Sequence, residues 1–354
     1  MGFGLTSLAF DEFLARVAQS HEVWGPARMP RCGRHSAQEV IGYRPVASLA
    51  DLVLDRKSFF SPKEAVFPIR ETLLEFRSNE TLEPDLPCRS KLLFLRACDI
   101  HALDRLDCIF LHNGQVPDLT YEHRRKRMKL ILVECPGRGF DSCFCVSMGT
   151  SRADDYAMAI RIVDEKVLVH VRDEALLPLL DGFTGNVDFT PVPVQENSTV
   201  VAVPAVDQVT SKLFDDPLWR EYTKRCIACG RCNTSCPTCS CFNLQDVPPH
   251  GDRPGVRRRT WTGCHLDGFT TMAGGHDFRR EHGDRMRFKT MHKINDFHRR
   301  FGRHMCVGCG RCDDVCPEYI SFSRCVNRLA ELIRDASGEV KVGATPFPEP
   351  GGAP

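Results

Sequence analysis

Apolar residues in "LAFDEFLARVAQ" (8–19) recur at helical spacing, so an amphipathic helix is expected near the start of the chain. Further on the period changes. "KLLFL" (91–95) is a short continuous apolar run, expected as a buried strand. A turn at Cys98 and a helix from Asp99, which can serve as its N-cap, follow it. "KLILVEC" (129–135) supplies a second buried strand, and "YAMAIRIVDEKVLVHV" (156–171) reads as a hairpin turning at Asp164 and Glu165. Strand, helix and strand in that order predict a small sheet with a helical crossover. The Pro- and Val-rich stretch 189–206 reads as an extended linker or edge strand, and 320–336 returns to helical spacing. A mixed α/β domain over 1–205, a cysteine-rich domain over 206–336 and a disordered Pro/Gly-rich tail over 337–354 are expected.

The 354 residues suffice for two domains, and 42% apolar with 26% charged residues is the balance of a soluble globular protein. The net charge of +1 argues against a chain that coats nucleic acid. Apolar runs such as 130–133 are far too short to span a bilayer, so no membrane association is expected. Asp11 and Glu12 stand where a signal peptide would be apolar, and no basic segment precedes them, which points to the cytoplasm.

Nineteen cysteines change the picture. "CIACGRCNTSCPTCSC" (226–241) and "CVGCGRCDDVCPEYI" (306–320) share the skeleton C-x2-C-x2-C-x3-C-P. In a cytoplasmic chain such bunching points to metal rather than disulfides. A [4Fe–4S] cube needs four thiolates; a tight loop supplies three, and the cysteine before proline serves the other cluster in two-cluster ferredoxins. The expected groups are Cys226, Cys229, Cys232 with Cys316, and Cys306, Cys309, Cys312 with Cys236. Zinc is the competing reading, but its sites pair two C-x2-C units at longer spacing.

The remaining cysteines are less constrained. Cys98 and Cys135 follow successive strands, and Cys143 and Cys145 form a C-x-C pair, so these four can hold a third [4Fe–4S] cluster or be ordinary buried thiols. Cys239, Cys241 and Cys264 are one short of a cubane, and either add ligands or pack as a sulfur-rich shell. Cys32, Cys88, Cys108 and Cys325 have no supportive spacing. Residues 251–303 hold thirteen Arg and Lys against six Asp and Glu, with five His. That segment reads as a docking face for an acidic partner or an anionic substrate, as a nucleic-acid contact, or as a solvated face. His276 in "AGGH" is a candidate for a ligand or for a donor to sulfur, against a plain structural role. No G-x-G-x-x-G after a strand, no phosphate-binding G-x4-G-K-[ST] and no catalytic triad by spacing is found, so the chain reads as a wire rather than a catalyst.

The combination of "RACDIHALDRLD" (96–107), "CFCVSMGT" (143–150), "MAGGHDFR" (272–279) and "HMCVGCGRCDDVCP" (304–317) with the first motif closely resembles the A subunits of anaerobic sulfite reductases. More broadly it resembles the beta subunits of cytosolic sulfhydrogenases, and the likeness covers about 8–335. The resemblance implies an α+β chain whose mixed α/β domain is followed by a helical ferredoxin-like dicluster domain. It implies two [4Fe–4S] clusters on the eight motif cysteines and no catalytic activity of its own. It also implies two partners: a flavin subunit that oxidises NADH and a sirohaem subunit that reduces sulfite to sulfide. The alternative is the electron-transfer beta subunit of a cytosolic nickel–iron sulfhydrogenase. An iron–sulfur scaffold or redox-sensing binding protein is the reading from a different class.

Overall fold

A computed structural model describes residues 2–30, 32, 39–77, 80–183 and 187–337. They form two compact units that interleave in sequence. The first takes the described residues of Met1–Cys135, Ala153–Pro193 and Thr234–Gly263; the second takes those of Pro136–Arg152, Val194–Asn233 and Cys264–Pro354. The chain thus passes back and forth between units, where composition suggests one boundary near 205. Composition marks Pro-rich stretches; it does not tell which sheet a later strand will join. Residues 338–354 of the expected tail lie outside the described residues.

The first unit holds β1 (Gly2–Thr6), α1 (Ser7–Val17), β2 (His21–Met29), β3 (Val40–Pro45), β4 (Arg70–Arg77), β5 (Glu80–Leu82) and β6 (Ser90–Leu95). It continues with α2 (Ala97–Phe110), α3 (Leu119–Arg125), β7 (Met128–Val133), β8 (Met158–Val163), β9 (Lys166–Val171), β10 (Phe242–Val247) and β11 (Gly255–Trp261). Seven strands form one sheet in the order β1-β9-β8-β7-β6-β2-β3. Its centre, β2-β6-β7-β8, is parallel, which requires both faces to be covered. Successive side chains of a strand point to opposite faces. Leu92, Phe94, Ile131, Val133 and Ile160 accordingly share a core with Phe10, Phe13, Leu14 and Val17 of α1. Leu93, Leu95, Leu130, Leu132 and Ala159 meet Ile100, Leu103 and Leu106 of α2.

The hairpin forms where expected: β8 and β9 are joined by Asp164 and Glu165, both with positive φ (47° and 64°), as a two-residue primed turn demands. Helix α2 begins two residues earlier than expected. Arg96 is its extended N-cap, which places Cys98 in the first turn. Asp99 does not cap; it is fully buried and accepts a hydrogen bond from Tyr43 Oη (3.3 Å). A buried carboxylate in the first turn is still favoured by the helix dipole. Residues 189–206 form no named strand.

A second, antiparallel sheet runs β10-β11-β4-β5. Arg259 of β11, 1% exposed, is its anchor. Its guanidinium donates to Glu71 (2.7 Å), to Asp118 and to Thr120 (3.0 Å), and sits 5.2 to 5.4 Å from the rings of Phe67, Phe110 and Phe242. A charge this deep is tolerated only because two carboxylates meet it.

The second unit is helical: α4 (Leu218–Arg225), α5 (Arg231–Thr234), α6 (His282–Met291), α7 (Phe297–Phe301), α8 (Arg311–Asp314) and α9 (Phe322–Ser337), with a π-helical turn His292–Asp296 before α7. Helices α4 and α6 cross at Gly283, whose N–H donates to Thr223 Oγ1 (3.0 Å). A Cβ there would stand 2.2 Å from the Trp219 carbonyl oxygen, so only glycine permits the approach. The start of α9 is satisfied by Asp313, which accepts from Phe322 N (2.7 Å), Ser321 Oγ (2.8 Å) and Ser323 Oγ (2.9 Å). Among the described residues no helix is long and apolar enough to cross a membrane.

Candidate metal centre

In the second unit α4 stops at Arg225, and Cys226 turns extended (ψ 125°). Ala228 and Gly230 then take positive φ (53° and 70°) before α5 carries Cys232. Two left-handed residues alternating with cysteines coil the loop tightly enough to turn Cys226, Cys229 and Cys232 to one side. All three line a single cavity, and Cys316 and Pro317 line it too. The structure therefore brings together the first expected group of four. Cys312, expected in the second group, also reaches this cavity.

The thiols feel one another. Burial raises the pKa of Cys226, and Cys232, Cys229 and Cys316 each add to the rise. Ile320 N–H donates to Cys316 Sγ (3.3 Å), the backbone-to-sulfur contact that favours a thiolate. His265 Nδ1 lies 3.7 Å from Cys226 Sγ. Its Nε2 is fully enclosed and has no hydrogen-bond partner. Burial, with Lys289, Arg285 and His282 around it, holds the His265 pKa well below the ordinary value, so the ring is neutral at pH 7. Buried Lys289 also lines the cavity.

The second motif repeats the backbone of the first. Gly308 and Gly310 take positive φ (64° and 69°) at the positions of Ala228 and Gly230. Here the loop is clamped by the segment around Cys143. Phe144 N–H donates to Gly308 O (2.8 Å), Thr150 Oγ1 to Val307 O (2.7 Å) and Cys143 Sγ to Cys309 O (3.7 Å). A Cβ on Gly308 would lie 2.5 Å from the Phe144 carbonyl oxygen, and one on Gly310 2.1 Å from that of Ser142. Ala228 is buried and already holds a Cβ at positive φ, whereas a Cβ at Gly308 would meet the Phe144 carbonyl, which accounts for Gly in the second copy. Cys306 and Cys309 are buried and Cys312 half-buried. Cys236, expected to join them, is buried and belongs to the first unit, its Sγ 3.4 Å from Thr238 Oγ1.

The other candidates are distributed as follows. Cys98 and Cys135 sit at the C-terminal ends of the neighbouring parallel strands β6 and β7 in the first unit, while Cys143 and Cys145 belong to the second. Asn197 Oδ1 accepts from Cys145 Sγ (3.6 Å) and from Val146 N (2.9 Å). Cys239 and Cys241 precede β10 in the first unit, and the Cys239 carbonyl accepts from Lys63 Nζ (3.0 Å). Cys264 belongs to the second unit and its Sγ accepts from Asn233 Nδ2 (3.4 Å). His276 is exposed with its ring edge-on to Phe278; the histidine of the cavity is His265, which the sequence reading passed over although it follows Cys264. The basic segment 251–303 divides between the units, and Arg257, Arg259, Arg285 and Arg287 are ion-paired to carboxylates.

The arrangement suits a cluster better than a lone ion. Five cysteines, Cys226, Cys229, Cys232, Cys312 and Cys316, line one cavity, whereas zinc would draw four ligands to about 2.3 Å from one point. Among the described residues no three or more His, Cys, Asp or Glu converge to hold a single metal ion. The orphaned His265 Nε2 adds a buried polar atom that protein groups leave unsatisfied.

Residues 225–320 match the 4Fe-4S dicluster domain family. The helical part of this α+β chain thus carries an iron–sulfur domain. The whole chain is also similar to a curated relative, the sulfhydrogenase 2 subunit beta of Pyrococcus furiosus, at 28% identity over 344 residues. The similarity covers 92% of this chain and 98% of that one. The relative is of the kind that the sequence resemblance placed second, behind the sulfite reductase subunits.

Proposed function

We propose that this chain is an electron-relay subunit of a multi-subunit oxidoreductase of sulfhydrogenase type. The observation that carries the reading is the single cavity lined by Cys226, Cys229, Cys232 and Cys316, drawn from both copies of the motif. When bound, [4Fe–4S] clusters supply one-electron storage and transfer. The chain's own residues do the rest. Cys226, Cys229, Cys232 and Cys316 would hold one cluster; Cys306, Cys309 and Cys312, with Cys236, would hold the other. Ile320 N–H and His265 set the polarity around the first group, and the Cys143 segment keeps water from the second.

The relative's name makes that protein one subunit among several, and the near-complete coverage of both chains supports the same role here. The sulfite reductase reading has its own support in the wording of 272–317, "MAGGHDFR" and "HMCVGCGRCDDVCP". One experiment separates them. The tagged chain is purified without oxygen from its native cell, and iron, acid-labile sulfide, nickel and sirohaem are measured in what co-purifies. Nickel with iron supports the sulfhydrogenase type; a sirohaem absorption band supports sulfite reduction instead. A chain that carries zinc and no iron would reject both.

A further inference from the structure

The two cysteine loops differ in access. Cys306 and Cys309 are buried, but Cys229 is exposed. Beside it Ile227, in the cavity wall, is 56% exposed, and Tyr319, between the wall residues Glu318 and Ile320, is 81% exposed. Large apolar side chains this open, at the mouth of a cysteine-lined cavity, mark a contact surface.

The ground next to them is basic. Tyr222 lines the cavity and also an adjoining cleft, whose wall includes Glu221, Arg225, Tyr319, Ser321, Arg324 and Arg328. Three guanidiniums there face one carboxylate. Arg225 is fixed by Glu221 (2.6 Å) and donates to the Glu318 carbonyl (2.9 Å), and Arg328 reaches the same Glu221 carboxylate. Arg324 in the cleft and Lys224 on α4 are exposed, and among the described residues neither has an ion-pair partner. Positive charge is therefore left over at the open edge of the first cysteine group.

We infer that this edge, Ile227 and Tyr319 framed by Lys224, Arg225, Arg324 and Arg328, is the docking face for an acidic electron-carrier protein. The inference rests on the proposed relay function and adds where the relay opens and to what chemistry. Tyr and Arg are the residues interfaces favour, and a basic rim around an apolar centre steers an acidic partner into register. A small anion would use the guanidiniums but gain nothing from Ile227 or Tyr319, so a protein surface fits the whole patch. Electrons pass most readily where the cofactor's ligands reach the surface, and Cys229 is the exposed thiol of the two motifs.

The test measures binding, not turnover. The full-length, iron-loaded chain is titrated with a plant-type ferredoxin as an acidic probe, by interferometry. Lys224→Glu with Arg324→Glu is compared with the unaltered chain and with Arg324→Lys. Both positions are exposed and unpaired, so folding should be unchanged, and iron content is measured on every sample. The expected result is affinity that falls by about tenfold or more in the double charge reversal and at roughly 0.3 M salt, and that Arg324→Lys retains. No binding at low salt, or equal affinity in the double variant, overturns the docking face. Displacement of the probe by millimolar inorganic sulfate at constant ionic strength makes the cleft a small-anion site and overturns it equally. An iron-free chain fails at the separate iron measurement, and that failure belongs to the relay reading.

Discussion

His265 holds its Nδ1 atom 3.7 Å from Cys226 Sγ while its Nε2 atom stays enclosed without a partner. A neutral imidazole placed so can donate to a thiolate sulfur and ease the extra negative charge of the reduced state. Replacing His265 by Leu removes that donor without adding charge. The expected outcome is a lower midpoint potential for one cluster, on the order of 60 mV, the equivalent of about one hydrogen bond to a charged group for a one-electron couple. An EPR-monitored redox titration reads it. An unchanged potential with full iron content would show that the ring is only packing.

The paired loops give a sharper comparison. Gly308→Ala pushes a Cβ to 2.5 Å from the Phe144 carbonyl oxygen in a left-handed residue, with no flexible side chain to yield. A loss of about 2 kcal/mol or more is expected. At the matching position Ala228 already has positive φ, so Ala228→Gly relieves strain and should be neutral or stabilising by up to about 1 kcal/mol. Thermal unfolding of both variants checks the pair; equal effects of the same sign would contradict the packing difference.

Removing single thiols tests the grouping. Cys229→Ala and Cys309→Ala should each lower iron and acid-labile sulfide by about four per chain while the other group stays loaded. A variant that keeps full iron would remove its cysteine from the ligand set.

Much of this was legible in the chain, for identifiable reasons. The hairpin at Asp164 and Glu165 and helix α1 follow from strong local periodicity, which neighbours only reinforce. The start of α2 was not legible, because Asp99 has two possible tasks and Tyr43, fifty-six positions away, decides between them. Likewise His276 drew attention through its glycine neighbours, whereas His265 matters through burial, which spacing does not report. The excess of Arg in 251–303 left a docking face, a nucleic-acid contact and a solvated face open; that Arg259 is instead buried against Glu71 and Asp118 depends on partners far away in sequence.

His292 gives the second unit a defined acid sensitivity. Burial, with Lys293 beside it, lowers its pKa to about 4, and its ring stacks on Phe288. Above pH 6.5 the imidazole is neutral in both folded and unfolded chains, and this contribution to stability is complete. As pH falls from 6.5 towards 4 only the unfolded chain takes up the proton, so stability is lost progressively, by about 3 kcal/mol in all. His292→Gln should flatten that part of the pH–stability curve. Parallel curves for variant and parent between pH 4 and 6.5 would exclude the effect.

The stretch between the two cysteine motifs is no spacer. β10 and β11 are two of the four strands in the first unit's small sheet, and Arg259 of β11 neutralises Glu71 and Asp118 in that unit's interior. A chain pared down to its cysteine loops would strip β4 of its neighbour β11, take the Arg259 counter-ion from Asp118 and leave Glu71 with Arg124 alone. The dicluster segment is therefore not a portable cartridge. Gene fusions or recombination events that move it must carry β4, β5 and α3 along, and the two halves of this protein are constrained to be inherited together.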